Sequence, residues 1–315
     1  MVLLRRAIAF VFLFASVGAH AQRTVSVGFW NVENMFDTVP SLFYDDRDYT
    51  PEGKQGWNSE RYTNKVTNIA RVLDDMELDV VGLCEVENEG VVYDLVLKMG
   101  TDYNYIHRIA GRSRGRDIAL LYKGDRFVPH EVRTVDSRTS RTFLYVRGNL
   151  CGERVDLVVV HLPSMLNKYA YRERAVGRLY QFADSLHRAD PDSRIVVMGD
   201  FNATPGDRVM RRAFTTDDPA CREALFCPLE TLAGDGRGSY AHSNRWLLYD
   251  NIFLSERLLD SPVRYSDCGV FIKQYMLHRD RTKRNGYPLR TFTGKKYTNG
   301  FSDHLPVYIR LVMDN

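Results

Sequence analysis

The 315-residue chain has no Cys-x-x-C pair, no internal repeat, no low-complexity tract and no large excess of charge of either sign. Without closely spaced cysteine pairs there is no zinc-ribbon or thioredoxin-type redox motif. Without a repeat period, solenoids and propellers are excluded. A formal net charge of +3 provides no global field that would gather a polyanion. Long apolar runs are missing too. The stretch Ala7 to Ala15 falls short of the roughly 20 residues a spanning helix needs, and no later run is long enough.

That stretch follows Arg5 and Arg6 and precedes Ala19-His20-Ala21, the order of a secretory signal peptide with its small-residue cleavage site. Residues 1–21 are therefore expected to be removed, leaving 22–315 as a single domain beginning at Gln22. The expected location is the periplasm or the exterior, with no stable membrane anchor, and the expected state is a monomer. Without Arg5 and Arg6 the balance is 41 basic against 40 acidic side chains, so any affinity for phosphate must be local. The five cysteines are an odd number, which leaves at least one thiol free or paired between molecules. Cys221 and Cys227 bracket a short loop and could close a disulfide, whereas Cys84 lies in an apolar run and reads as core.

Several short runs are continuously apolar and β-branched, as strands covered on both faces must be. Val25 to Trp30 ends at Asn31, Val80 to Cys84 at Glu85, Val155 to Val160 at His161, and Ile195 to Gly199 at Asp200. Any strand becomes polar where it meets solvent, but four endings that supply an amide, two carboxylates and an imidazole suggest a shared rim. Tyr62, Val66, Ile69, Leu73 and Met76 recur at helical spacing, as do Ala175, Leu179, Phe182 and Leu186. Further strands are expected at Ile118 to Tyr122, Phe143 to Val146, Leu247 to Leu254 and Pro306 to Val312. Strands outnumber helices and cluster, which predicts an α/β fold of two packed sheets with helices outside.

The rim is rich in acids, and hard divalent cations prefer oxygen ligands. Glu85 and Asp303 are the first candidates to hold Mg²⁺ (Mn²⁺ and Ca²⁺ being alternatives), with Asn31 and Glu33 in support and Asn34 an alternative to Glu33. Phosphoester hydrolysis needs charge neutralisation, an activated water and protonation of a leaving oxygen, roles that carboxylates, amides and imidazoles can fill.

Seven segments in order carry a resemblance: GFWNVEN from Gly28, GLCEVE from Gly82, RDIALLY from Arg116, VHLPS from Val160, MGDFNATP from Met198, YDNIF from Tyr249 and FSDHLPV from Phe301. Together they resemble the endonuclease/exonuclease/phosphatase superfamily, which includes pancreatic-type deoxyribonuclease, abasic-site endonucleases, bacterial sphingomyelinases and inositol-polyphosphate 5-phosphatases. The resemblance spans Asn31 to Val307. It implies a four-layer α/β/β/α sandwich of two mixed sheets with the site at one edge. It implies a metal at Glu85 with Asn31 and Glu33 nearby and Asp303 beside it. It further implies that Asp200 positions or deprotonates the attacking water, that Asn202 binds the phosphate, and that His304 is oriented by Asp250. His161 resembles the deoxyribonuclease choice, in which an acid pairs with the imidazole, and Asp117 stands where that acid is expected. The alternative for Asp117 is a simple ion pair with Arg116; for Asp250 and Asp303 it is capping of a strand or turn.

Basic clusters that could meet substrate phosphate are Arg112, Arg114 and Arg116, then Lys168, Arg172, Arg174 and Arg178, then Lys273 to Arg284. Of these, Arg112, Arg114, Lys168 and Arg172 are the first candidates. The leading expectation is a metal-dependent phosphodiesterase acting as a nuclease of low sequence specificity. A lipid or small-molecule phosphoesterase is the second reading and a catalytically silent scaffold the third.

Overall fold

The computed structural model describes residues 23–111, 115–214, 225–260, 262–279 and 286–313. The signal-peptide segment, Arg112, Arg114 and Cys221 lie outside the described residues, and with Cys221 goes the Cys221–Cys227 pairing.

The chain begins with strand β1 (Arg23–Met35), helix α1 (Ser59–Met76), β2 (Val80–Val86), α2 (Glu89–Lys98), β3 (Asn104–Arg108) and β4 (Asp117–Tyr122). It continues through β5 (Phe127–Asp136), β6 (Thr142–Leu150), β7 (Glu153–His161), α3 (Tyr169–Ala189), β8 (Ile195–Asp200), α4 (Arg208–Phe214) and α5 (Glu230–Gly234). A hairpin of β9 (Tyr240–His242) and β10 (Arg245–Leu247) precedes β11 (Asp250–Leu254) and β12 (Val263–Val270). A second hairpin, β13 (Phe292–Thr293) and β14 (Lys296–Tyr297), precedes β15 (Val307–Met313).

Six strands form one sheet in the order β12-β15-β1-β2-β4-β3, and five form the other in the order β11-β8-β7-β6-β5. Each sheet has one parallel pair joined by a helical crossover, β1-α1-β2 and β7-α3-β8, flanked by antiparallel neighbours. Period-2 alternation explains the unbroken apolar runs. Val27, Phe29, Val80 and Cys84 face the inter-sheet core with Leu157, Val159, Val196 and Met198, while Trp30, Val32, Val81 and Leu83 face α1 and α2. The other sheet is covered by α3 through Ala175, Leu179, Phe182 and Leu186. The result is the expected four-layer α/β/β/α sandwich. At Gly82 the sheets approach so closely that a Cβ would lie 3.0 Å from Met198 Sδ and from Val159 Cγ1.

Helix α1 starts where Asn58 accepts the Arg61 N–H at 3.0 Å, and it ends at Glu77 in the left-handed region. Its buried face includes Val66, Ile69 and Leu73, with Tyr62 and Met76 packed at the margin. The segment Leu247 to Leu254 differs from expectation. Leu247 closes a hairpin, a break follows, and Asp250 opens a separate strand paired with Asp200. No helix among the described residues is long and apolar enough to cross a membrane. Cys84, Cys151, Cys227 and Cys268 are free thiols, and Cys84 is fully buried.

Candidate active site

The two parallel crossovers bring the C-terminal ends of β1, β2, β7 and β8 to one edge, where the polar strand endings meet. Asn31 links the sheets: its Nδ2 donates to Asp200 Oδ2 at 3.0 Å and lies 3.4 Å from Glu85 Oε1. Four residues here, Glu33, Asn34, Glu85 and Asn202, have φ between 46° and 62°. Left-handed backbone is costly for non-glycine residues and gathers at functional sites. At Glu33 and Asn34 it accompanies a shift in the β1–β2 register.

A cavity of about 720 Å³ opens on this edge. Asn31, Glu85, His161, Asp200, Asn202, Asp303 and His304 line it, so strand endings from both sheets share one wall. Behind that wall Asp250 holds His304, with Oδ2 2.6 Å from Nδ1, while His304 Nε2 faces Asp200 Oδ2 at 4.0 Å and Asp303 Oδ1 at 3.9 Å. Burial opposes charge on His304, but Asp250, Asp200 and Asp303 outweigh it and raise its pKa well above the usual value. His161 behaves in the opposite way. Burial and the nearby Arg141 hold it well below its usual pKa despite the opposing pull of Glu85. Its Nε2 lies 3.7 Å from Glu85 Oε1 and 3.8 Å from Asp200 Oδ2, and its buried Nδ1 has no partner among the described residues.

Glu85 is ionised. Burial resists this, but Arg116 and the Asn34 N–H, which donates to Oε2 at 2.9 Å, are among the groups that bring its pKa to about 2. Asp200 is pushed up to about 7, first by burial and further by Asp250, against the pull of His304. Asn202 donates its N–H to Asp200 Oδ1 at 2.8 Å and its side-chain amide to the Leu162 carbonyl at 3.0 Å.

Four expectations are corrected. Asp117 is not the partner of His161: its Oδ2 lies 3.0 Å from His107 Nε2 and its Oδ1 accepts the Ala110 N–H at 2.9 Å, so it ties down the loop that carries Arg116. Glu33 does not face the cavity with Glu85. Beyond the bend at positive φ it accepts from Arg290 Nε at 3.0 Å and the Thr291 N–H at 2.8 Å, while Arg290 also reaches Asp303 at 2.9 Å. Arg172 is buried and donates to the Asn202 carbonyl at 2.9 Å, and Lys168 is exposed outside the cavity wall. The cations in the wall are instead Arg116 and Arg141. Sequence reasoning missed Arg141, which sits in a polar loop with no periodic signal. It also missed Tyr240 and Tyr249, whose rings stack at 5.3 Å and 16° beside His304.

The donor atoms of Asp200, Asp250 and His304 lie within 4.8 Å of one another, close enough for a metal ion. A protonated imidazole bound to Asp250 is a poor ligand, however. Glu85 fits a hard divalent ion better, since it is ionised, lines the cavity and has at Oε1 only the long contacts of Asn31 at 3.4 Å and His161 at 3.7 Å.

The model of the endonuclease/exonuclease/phosphatase family matches residues 26–313. The chain belongs to this family. Among solved structures it is similar to an endonuclease/exonuclease/phosphatase family protein from Bacteroides thetaiotaomicron, with TM-score 0.62 and 16% identity over 93% of this chain and 99% of the other. A mannosyl-6-phosphatase from the same organism matches with TM-score 0.62 and 16% identity over 92% and 100%. D. rerio TDP2 complexed with a single-strand DNA product matches with TM-score 0.61 and 18% identity over 91% and 98%. These likenesses are of fold. No curated protein matches the chain. Family members hydrolyse phosphoester bonds, and the family is typically dependent on a divalent metal.

Proposed function

We propose that this protein is an exported, divalent-metal-dependent hydrolase of a compact phosphoester. The observation that carries this reading is the His304–Asp250 pair facing Asp200, which Asn31 links to an ionised Glu85 on the same wall. A Mg²⁺ ion held by Glu85 with Asn31 would supply Lewis-acid polarisation of the phosphoryl oxygen, Mn²⁺ and Ca²⁺ being alternatives. Asp200 accepts a proton from the attacking water, a task suited to a carboxylate titrating near neutrality. The water oxygen bonds to phosphorus as the bond to the leaving oxygen breaks, and His304 donates its Nε2 proton to that oxygen. Arg116 and Arg141 offset the phosphoryl charge, while neutral His161 fills the wall between Glu85 and Asp200.

The compact-substrate reading is supported by the cations of the described wall. Among the described residues only Arg116 and Arg141 bring a lysine or arginine into the wall, enough for one phosphoryl group. A polynucleotide is held by many phosphate contacts along its backbone. The stacked Tyr240 and Tyr249 favour a second reading in which the end of a nucleic acid places a base on these rings, and the DNA product bound by TDP2 is in keeping with it.

The test is a panel assay of the purified 22–315 chain with and without EDTA, on hexose phosphates, inositol phosphates, sphingomyelin, plasmid DNA, RNA and a chromogenic phosphodiester. Metal-dependent turnover of the small phosphoesters is expected. Cleavage of polynucleotide alone would promote the second reading, and silence on every substrate with metal bound would leave a scaffold. Export is checked by amino-terminal sequencing of protein recovered outside the cytoplasm. Gln22 is the expected first residue, and an intact residue 1 would refute processing.

A further inference from the structure

A second pocket, of about 290 Å³, adjoins the reaction cavity. Its walls include Glu33, Asn34, Tyr49, Gln55, Arg290 and Phe292. The two spaces share Asn34, and the Arg290 guanidinium bonds to Glu33 on one side and to Asp303 on the other. Asn34 is thus the residue that a molecule with its phosphate at Glu85, Asp200 and His304 would pass to reach this pocket.

We propose that this pocket is a subsite for the hexose ring of a sugar phosphate, which names the substrate class of the hydrolase proposed above and rests on that reading. Three features of the lining select a neutral polyhydroxylated ring. The acceptors are suited to hydroxyl donors: Glu33 Oε1 is held by Arg290, but Oε2 takes one protein hydrogen bond, from the Thr291 N–H, and retains a lone pair, and the buried Gln55 Oε1 has no partner among the described residues. The aromatic lining offers apolar surface to the C–H face of a ring. Tyr49 is stacked on Phe36 at 4.3 Å and 12°, and Phe292 packs on Trp57 at 5.9 Å. The charge balance excludes a second phosphate, because Arg290 is already shared by two carboxylates. Of the other cations near the lining, the buried Lys65 is committed to Thr291 Oγ1 and to the Phe301 carbonyl, Arg61 donates to the Gln55 carbonyl, and Arg116 donates to Asn34 Oδ1 from the wall of the reaction cavity.

The experiment compares glucose 6-phosphate and mannose 6-phosphate with glycerol phosphate and 4-nitrophenyl phosphate in the metal-loaded enzyme. A hexose phosphate is expected to exceed glycerol phosphate by about tenfold or more in kcat/KM. Gln55→Ala and Phe292→Ala should raise KM for the hexose phosphate by about tenfold while kcat on 4-nitrophenyl phosphate stays unchanged, which also shows that the variants fold. Trp57, 6.1 Å from Tyr49, provides a binding readout that is independent of turnover. Free hexose should change its fluorescence in the parent and not in Phe292→Tyr/Gln55→Ala. Metal-dependent hydrolysis of 4-nitrophenyl phosphate without hexose preference would overturn the subsite alone. Absence of any hydrolysis would instead overturn the underlying reading, and a variant that loses hexose and aryl phosphate turnover equally would assign Gln55 and Phe292 to the fold.

Discussion

The cavity has two histidines on facing sheets, and they differ in charge. His304 leaves the six-stranded side with a carboxylate 2.6 Å from Nδ1 and becomes a buried cation. His161 ends β7 on the five-stranded side, near Arg141 with no partner at Nδ1, and stays neutral. Both are almost fully buried, so solvent exposure does not separate them. A carboxylate in hydrogen-bonding contact does: His304 has Asp250 at 2.6 Å, whereas the carboxylates nearest His161 stand at 3.7 and 3.8 Å and Arg141 opposes them, which makes one imidazole a proton donor and the other a neutral spacer.

The largest effect that tests this contrast is removal of the donor. His304→Ala should lower kcat by on the order of 10²- to 10⁴-fold, about 3 to 5 kcal/mol of transition-state stabilisation, and a variant with near-native turnover would refute its role. Glu85→Ala should come next, raising the metal concentration needed for half-maximal activity by about 10- to 100-fold, as a metal titration of the rate would show. Unchanged metal dependence would move the ion to Asp200 and its neighbours. Arg141→Met sharpens the comparison at the other wall. Removing that cation should raise the His161 pKa in the metal-free protein, followed by imidazole NMR, while His304 stays protonated; an unmoved His161 would leave burial as the whole cause. The smallest effect is expected from Asp117→Asn. Its carboxylate holds His107 and the Ala110 N–H, so the His161 titration should not change and kcat should fall by less than about tenfold, the loss reflecting a looser Arg116 loop. A shift at His161 would restore the pairing with Asp117.

The residues that gather at the cavity were legible where a β-branched run ends abruptly in a polar side chain: Asn31, Glu85, His161 and Asp200 all sit at such ends, and the crossovers α1 and α3 align those ends. Asp250 and His304 carry no such signal and emerged only through resemblance to an ordered motif set, while Asp303 was named from the acid-rich rim alone. Partnerships were less legible than positions. Glu33 follows Asn31 by two residues, which ideal strand alternation would place on the same face, but left-handed φ at 33 and 34 breaks that alternation and sends its carboxylate to Arg290. Arg172 looked like a phosphate contact because it opens a basic helix, yet its place on α3 puts the guanidinium under the Asn202 carbonyl.

The amino-acid sequence alone specified the layers, because strands covered on both faces must be continuously apolar and helices covered on one must repeat with their own period. It also specified which chemical groups reach the rim. Only the tertiary structure decided which acid serves which base, since a carboxylate acts over a few ångströms and the pairs concerned, His304 with Asp250 and Arg290 with Glu33, are separated by 54 and 257 residues along the chain.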